Sequence, residues 1–256
     1  MPLLENKLDR FLSVWKDLNH LWIKDKREIM AIESLVTVKR SKRARRVALR
    51  LDAKTGVMNL VIPPKMRLDV ALRFAKTHEK WVKETLAALP PTVPFEHGTI
   101  IPILGQKRRI SIIYDDSRRG TEIQLLKTVL QVRTNLEDPS PRIRRFLKQV
   151  AKEALTELTE KKIRRVGVEN VNVSVREMKS RWGSCSEDND ISYSWRLIFA
   201  PEVAMDYVVA HEVAHLVHLD HSKNFWSLCR KLSKDGFEGE YWMHNHGNLL
   251  LRYGEV

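Results

Sequence analysis

The segment from Val208 to Trp226, VVAHEVAHLVHLDHSKNFW, places four of the chain's nine histidines within eleven residues. His211 and His215 are four residues apart, a spacing that puts both side chains on one face of a helix, about 6 Å apart along its axis. The apolar residues around them indicate that the helix is buried, and a buried imidazole without a partner is costly. A metal ion shared by both rings would satisfy them, so the segment predicts a metal site on a buried helix.

Glu212 follows the first of these histidines and completes the pattern H-E-x-x-H. Neutral imidazoles suit zinc, and an open coordination position leaves room for water. Zinc lowers the pKa of such a water to about 7, and a neighbouring carboxylate can take its proton. The motif therefore predicts a single zinc ion per chain, with Glu212 as the general base.

A catalytic zinc usually has three protein ligands, and the third is less constrained by spacing. His218 lies seven residues after His211, but seven residues of straight helix rise about 10 Å, too far for three rings to meet at one ion. If the chain turns, His221 can point back from the start of a second helix that Asp220 or Ser222 caps. His221 is the favoured third ligand, and the alternatives are Asp220, His218, Glu238 and Glu240.

The rest of the chain divides into three parts by its apolar periodicity. Residues 1–34 predict a helical extension that docks on the body or contacts a partner protein, because apolar side chains recur every three or four residues. Residues 35–135 alternate as strands, with a hairpin around Gly105 and helical spacing over 66–89, and predict a β-rich α+β portion. Residues 136–256 hold a long helix from Ser140 to Gly167, two strands and the histidine helix.

Lysine and arginine number 45 against 32 acidic residues, a formal excess of +13. Such an excess attracts polyanions and predicts a nucleic acid or nucleotide partner for the basic surface, with a merely solvated face as the alternative. No apolar run reaches the roughly 20 residues of a membrane span, and acids interrupt the first residues where a secretory signal would be apolar. With only two cysteines as well, the sequence predicts a cytoplasmic protein without a membrane contact.

The stretches MKSRWGSCS and ISYSWRLIFAPEVAMDYVVAHEVAHLVHLDHSKNFW resemble the YgjP-like family of metal-dependent hydrolases, which are zincins similar to the WLM and SprT-like metallopeptidases. The resemblance is dense from Met178 to Trp226 and weaker back to about residue 35. It implies an α+β fold with a zincin-like core, in which helices pack on a small antiparallel sheet. It also implies that His211, His215 and His221 bind zinc. Tyr193 and Ser194 depart from the family pattern, which typically has an apolar residue and Asn there.

The turn SRWGSC is expected near the substrate cleft, because zincins commonly hold an extended substrate beside a strand. Gly183 permits a close approach of the backbone. Arg181, Trp182 and Tyr193 are the predicted substrate-binding residues; the alternatives are an ion pair for Arg181 and a place in the core for the two aromatic residues. Tyr207 is a further candidate donor to an oxyanion.

Three functions fit these residues. The first is a zinc-dependent hydrolase, most simply a metallopeptidase that cleaves a peptide or protein substrate. The same chemistry could hydrolyse nucleotide phosphoanhydrides, which the basic charge favours. The third is a nucleic-acid-binding module with a structural zinc, for which a base at Glu212 would have no use.

Overall fold

The computed structural model describes residues 32–178 and 180–255, and its internal contacts divide the chain into two units, one ending at Leu89 and one beginning at Pro90. Nearly all of the predicted N-terminal extension, residues 1–34, lies outside the described residues. The division falls earlier than the predicted boundary after residue 135. The strands between residues 100 and 134 therefore belong to the same unit as the histidine helix.

The described part of the first unit contains a three-stranded sheet, in the order β1-β3-β2, and two helices that follow it in sequence. β3 is antiparallel to β2 and parallel to β1, and its Met58, Leu60 and Ile62 are buried in a small apolar core. The sequence predicts one helix over 66–89, but the structure has two, because the backbone of His78 leaves helical geometry at φ −110°. The elements are β1 Val36–Arg40, β2 Ala48–Asp52, β3 Val57–Ile62, α1 Leu68–Thr77 and α2 Glu79–Ala87.

The second unit begins with a four-stranded sheet in the order β4-β5-β7-β6. The predicted hairpin around Gly105 is confirmed, because β4 and β5 pair antiparallel across Leu104 and Gly105, which both have positive φ. Antiparallel pairing also joins β6 to β7. The strands are β4 Ile100–Ile103, β5 Gln106–Tyr114, β6 Thr121–Leu125 and β7 Val129–Thr134.

A 27-residue helix, α3 (Ser140–Val166), follows this sheet. The sequence predicts Ser140 as its N-cap, and that assignment is wrong: Ser140 is already helical, and its backbone N–H donates to Oδ1 of Asp138 at 2.9 Å. Gly167 ends the helix in the left-handed region at φ 67°, as predicted.

A second sheet of the same unit carries the SRWGSC turn. Its strands are β8 Asn172–Arg176, β9 Gly183–Cys185 and β10 Asp190–Ser194, in the order β8-β10-β9. The predicted antiparallel sheet is wrong in one respect, because β10 is antiparallel to β9 but parallel to β8. The chain reverses once into β9 and again into β10, so β10 returns in the direction of β8. In this order β10 is central, and β8 and β9 are the two edge strands.

The described part of the unit ends with three α-helices, α4 Glu202–His215, α5 Lys223–Leu232 and α6 Gly236–His246, and a 3-10 helix over Gly247–Arg252. α4 is packed into the core on most sides, and α6 crosses it closely at Gly239, where a Cβ atom would lie 2.5 Å from Cβ of Tyr207. The predicted α+β class is confirmed by these helices and small sheets. Among the described helices, none combines the length and apolar content that a bilayer crossing requires.

Candidate metal centre

The histidines of the H-E-x-x-H motif lie at the C-terminal end of α4, and His221 lies in the link to α5. α4 ends at His215, so His218 and His221 do not continue its helical face. Ser222 caps α5, with its hydroxyl oxygen accepting from the backbone N–H of Phe225 at 3.4 Å. The chain therefore turns back between the two helices, as the third-ligand argument requires.

This turn brings three imidazoles together. Nε2 of His211 and Nε2 of His221 are 3.2 Å apart, and one ligand nitrogen from each of His211, His215 and His221 falls within 4.8 Å of the others. In a tetrahedral site with Zn–N bonds of 2.0–2.1 Å, ligand nitrogens are about 3.3 Å apart. The 3.2 Å separation of His211 and His221 is close to that distance, so these two rings suit a shared metal ion.

Hydrogen bonding fixes the orientation of the His215 ring. Its Nδ1 lies 3.1 Å from the backbone carbonyl oxygen of His218. A carbonyl only accepts, so Nδ1 carries the proton and Nε2 presents its lone pair, the usual arrangement behind a metal-binding histidine. His218 thus contributes its backbone to the site.

His211 is held differently, by packing. Its Nδ1 is buried and has no hydrogen-bond partner among the described residues. The rings of Phe225, Trp226 and Tyr207 surround it, with centroids 4.9, 5.8 and 6.0 Å from that of His211. The direction of Nε2 therefore depends on the shape of this aromatic cage.

Phe225 contacts all three imidazoles, with ring centroids 4.5 to 4.9 Å away. Helical spacing alone assigns Phe225 to the core, and its role as the floor of the cluster was missed. The available signal was its position four residues after His221, on a helix that begins beside the third ligand.

The protonation of the cluster suits metal binding. Burial, together with the charges of the neighbouring His215 and His221, lowers the pKa of His211 to about 4. Burial also lowers the pKa of His215. These two rings are neutral near pH 7, which is the form that coordinates a metal.

Glu212 is almost completely buried, with 6% of its surface exposed, and it points toward β9. Burial raises the pKa of its carboxyl to about 7, and the positive charge of Arg181 opposes that rise. A Cβ atom on Gly183 would lie 2.6 Å from Cγ and 2.7 Å from Cδ of Glu212, closer than real Cβ contacts. The first residue of the edge strand therefore has to be glycine for this carboxylate to occupy its position.

A family model described as the YgjP-like metallopeptidase domain matches residues 45–246, which include the whole histidine cluster and Glu212. The chain belongs to the YgjP-like metallopeptidase family. It is accordingly a metal-dependent peptidase by family, and the resemblance in the sequence is confirmed.

Two crystal structures also match this YgjP-like chain. The metallopeptidase zymogen jannalysin of Methanocaldococcus jannaschii shares 18% identity, with 35% of this chain and 93% of that chain covered and a TM-score of 0.32. The metallopeptidase zymogen abylysin of Pyrococcus abyssi shares 23% identity, with 40% and 99% covered and a TM-score of 0.33. A search of curated proteins returns no match.

The predicted substrate residues of the YgjP-like domain are not all brought together. Arg181 is exposed, and its charge reaches Glu212. Trp182 is half-buried, and its Nε1 would lie 3.1 Å from a Cβ on Gly247. Tyr193 is fully buried, and its hydroxyl shares a hydrogen bond of 3.1 Å with Thr159. Because Tyr193 has no surface to offer a substrate, we exclude it from the proposed site.

The residues that the sequence offers as alternative third ligands lie outside the histidine cluster. Oδ1 of Asp220 accepts from the backbone N–H of Ser222, so that carboxylate stabilises the turn. In the described part of the chain, the group that could hold an ion contains three histidines and no Asp or Glu. Glu238 and Glu240 lie on α6 and are not members of it.

Proposed function

We propose that this YgjP-like protein is a zinc-dependent metallopeptidase, with His211, His215 and His221 as the zinc ligands and Glu212 as the general base. The observation that carries the proposal is the convergence of three imidazoles beside a buried carboxylate that makes no hydrogen bond within the described residues. Zinc bound by such ligands polarises a carbonyl group and makes water a nucleophile at neutral pH.

Glu212 would move the proton. Its carboxylate accepts a proton from the attacking water and then donates it to the nitrogen of the leaving amine, which is ordinary general base and general acid catalysis. The burial of the side chain restricts its motion, and the missing side chain at Gly183 leaves the space that the carboxylate occupies.

β9 would hold the substrate. Its inner edge pairs with β10, and within the described residues no strand pairs with its outer edge. An extended peptide can add to such an edge through its backbone. Arg181 and Trp182 immediately precede β9, so we propose that they contact the substrate there, with the exposed guanidinium of Arg181 available to a carbonyl oxygen.

The substitution Glu212→Gln tests the proposal. The variant should bind one zinc ion per chain and keep the fold, while turnover of a peptide library falls about 10²–10⁴-fold, the usual contribution of a general base. Glu187→Gln, on an exposed acid in the turn after β9, is the matched control and should leave turnover unchanged. Unaltered turnover in Glu212→Gln would falsify its role as base.

The same assay separates the alternatives raised by the sequence. Nucleoside triphosphates are tested in parallel with peptides on the zinc-loaded protein. Hydrolysis of the triphosphates alone, abolished in Glu212→Gln, would keep the zinc and base but replace the substrate. Retained zinc with no turnover of either substrate would favour the structural-zinc module.

A further inference from the structure

A dense group of positive charges lies in the first unit, between Lys39 and Arg50. These twelve residues hold seven bases and no acid, and all seven are exposed. We call them the basic segment: Lys39, Arg40, Lys42, Arg43, Arg45, Arg46 and Arg50. Arg40 donates to the backbone carbonyls of Pro64 and Met66 at 2.8 and 3.0 Å, and no base of the segment forms an ion pair with an acid among the described residues.

On the helices of the same unit, by contrast, several basic side chains form ion pairs with acids. Asp69 pairs with Arg67 and Arg73, at 3.0 and 2.9 Å, and Glu79 pairs with Lys76 and Lys83 at 2.5 and 2.7 Å. Bases and acids alternate along α1 and α2, as they do on an ordinary solvated face. Unpaired charge is thus a property of the basic segment and not of the whole unit.

The segment is spread over a surface. Lys39 on β1 pairs in register with Val61, and Arg50 on β2 pairs with Asn59, so both side chains lie on the same face of the sheet. That face is opposite the buried Leu60. β1 and β2 flank β3 and are about 10 Å apart, and the loop 41–47 between them in sequence supplies four further bases. Charges arranged over this width suit a row of phosphates better than one small anion.

The absence of aromatic side chains from the segment indicates which type of nucleic acid it binds. Residues 36–62 contain no Phe, Trp or Tyr. Proteins that hold single strands stack bases on aromatic side chains, whereas a surface of arginine and lysine alone contacts the phosphate backbone without reading sequence. We propose that the basic segment binds the phosphate backbone of double-stranded nucleic acid. The proposal does not depend on the zinc site.

Fluorescence anisotropy with labelled 20-base-pair duplexes of DNA and of RNA tests it on the full chain. If about five phosphates are contacted, affinity should fall roughly 500-fold between about 50 and about 200 mM salt. The variant with Arg43, Arg45, Arg46 and Arg50 all changed to Gln should lose most of the affinity. The slope of log affinity against log salt should become shallower by about 0.9 per contact removed.

The matched control changes Arg67, Arg73, Lys80 and Lys83 to Gln, which removes the same net charge from α1, α2 and the residue before α1. It should keep affinity within about threefold, well under the loss expected from removing several phosphate contacts. Circular dichroism melts show whether each variant is folded. Four outcomes would each overturn the proposal. They are equal losses of affinity in the two variants, no binding at low salt, tighter binding to a single strand of the same length, and tighter binding to phosphatidylserine vesicles. Binding to DNA or to RNA duplexes supports it and identifies the source of the phosphates.

Discussion

Helix α4 buries polar side chains near both of its ends. The polar groups near its start have hydrogen-bond partners, whereas two of those near its end have none within the described residues. Near the start, Oδ1 of Asp206 accepts from Nζ of Lys162 at 2.6 Å, and Oδ2 accepts from the backbone N–H of Lys234 at 2.7 Å. Near the end, Nδ1 of His211 has no partner, and Glu212 accepts no hydrogen bond, within the described residues. Six residues of helix, about 9 Å, separate a satisfied polar group from an open one.

The paired polar groups near the start of α4 stabilise the fold, whereas the unpaired groups near its end are the ones proposed to carry out chemistry. A buried polar group costs free energy unless it is paired, so native proteins pair nearly all of them. Lys162 completes the pairing at its end by donating also to the carbonyl of Leu232 at 2.7 Å, which links α3 to the end of α5. Under the proposed function, the unpaired groups at the other end of α4 would bind the metal ion and act on the substrate.

The largest effect on stability is expected near the start of α4, where the buried polar groups are paired. Lys162→Met would leave Asp206 buried without its charge partner, since both side chains are only 5% exposed. Breaking such a pair by removing one partner costs about 3–5 kcal/mol in the free energy of unfolding. Urea denaturation of the metal-free protein measures it.

Lys161→Met, the neighbouring residue, is the control, because its pair with Glu157 is exposed and should contribute nothing measurable. Similar midpoints for Lys162→Met and the unaltered protein would show that the first end of α4 is not the structural one.

Near the C-terminal end of α4, where the buried polar groups are unpaired, we expect zinc to raise the free energy of unfolding. A ligand at 100 times its dissociation constant stabilises the native state by about 2.7 kcal/mol. We expect His221→Ala to lose most of that gain, and to change the metal-free protein by less than about 0.5 kcal/mol because His221 is exposed. Denaturation with zinc and with a chelator gives both values.

His244→Ala removes an exposed histidine outside the cluster and should keep the full gain. An equal zinc effect in His221→Ala would mean that another residue completes the site.

A smaller effect, on rate alone, is expected from Gly183→Ala. The added methyl group must push the Glu212 side chain away, and a displacement of about 1 Å can cost up to about 10²-fold in rate. Zinc affinity should stay the same, because no ligand is touched, so kcat should fall while zinc content does not.

Ser184→Ala is the control on the same strand and should be neutral. A loss of zinc together with kcat in Gly183→Ala would place the damage in the ligands and not in the base.

The sequence predicted those parts of the site that lie close together along the chain. The spacing of His211 and His215 is a helical property, and the need for a turn before His221 follows from the rise of a helix. The contact between Gly183 and Glu212, and that between Lys162 and Asp206, join residues 29 and 44 positions apart, and no local period encodes them.

The fold shows the same limit. Hairpins and the end of α3 at Gly167 follow from turn residues, and the sequence predicts them. The parallel pairing of β8 with β10 and the burial of Tyr193 depend on how distant segments meet. The sequence predicted an antiparallel sheet, and for Tyr193 it left open both a substrate-binding role and a place in the core. Alternation identifies a strand but not its neighbour.

The smallest effect is predicted for His218→Ala, and it distinguishes a side chain from a backbone atom. The backbone carbonyl of His218 fixes the His215 ring, and that carbonyl remains after the substitution. Zinc affinity, measured by competition with a chromophoric chelator, should therefore change less than about twofold, whereas mutation of a true outer partner costs about 10–100-fold. A loss in that larger range would show that the imidazole of His218 acts on the ion, and the open end of α4 would then hold four histidines in place of three.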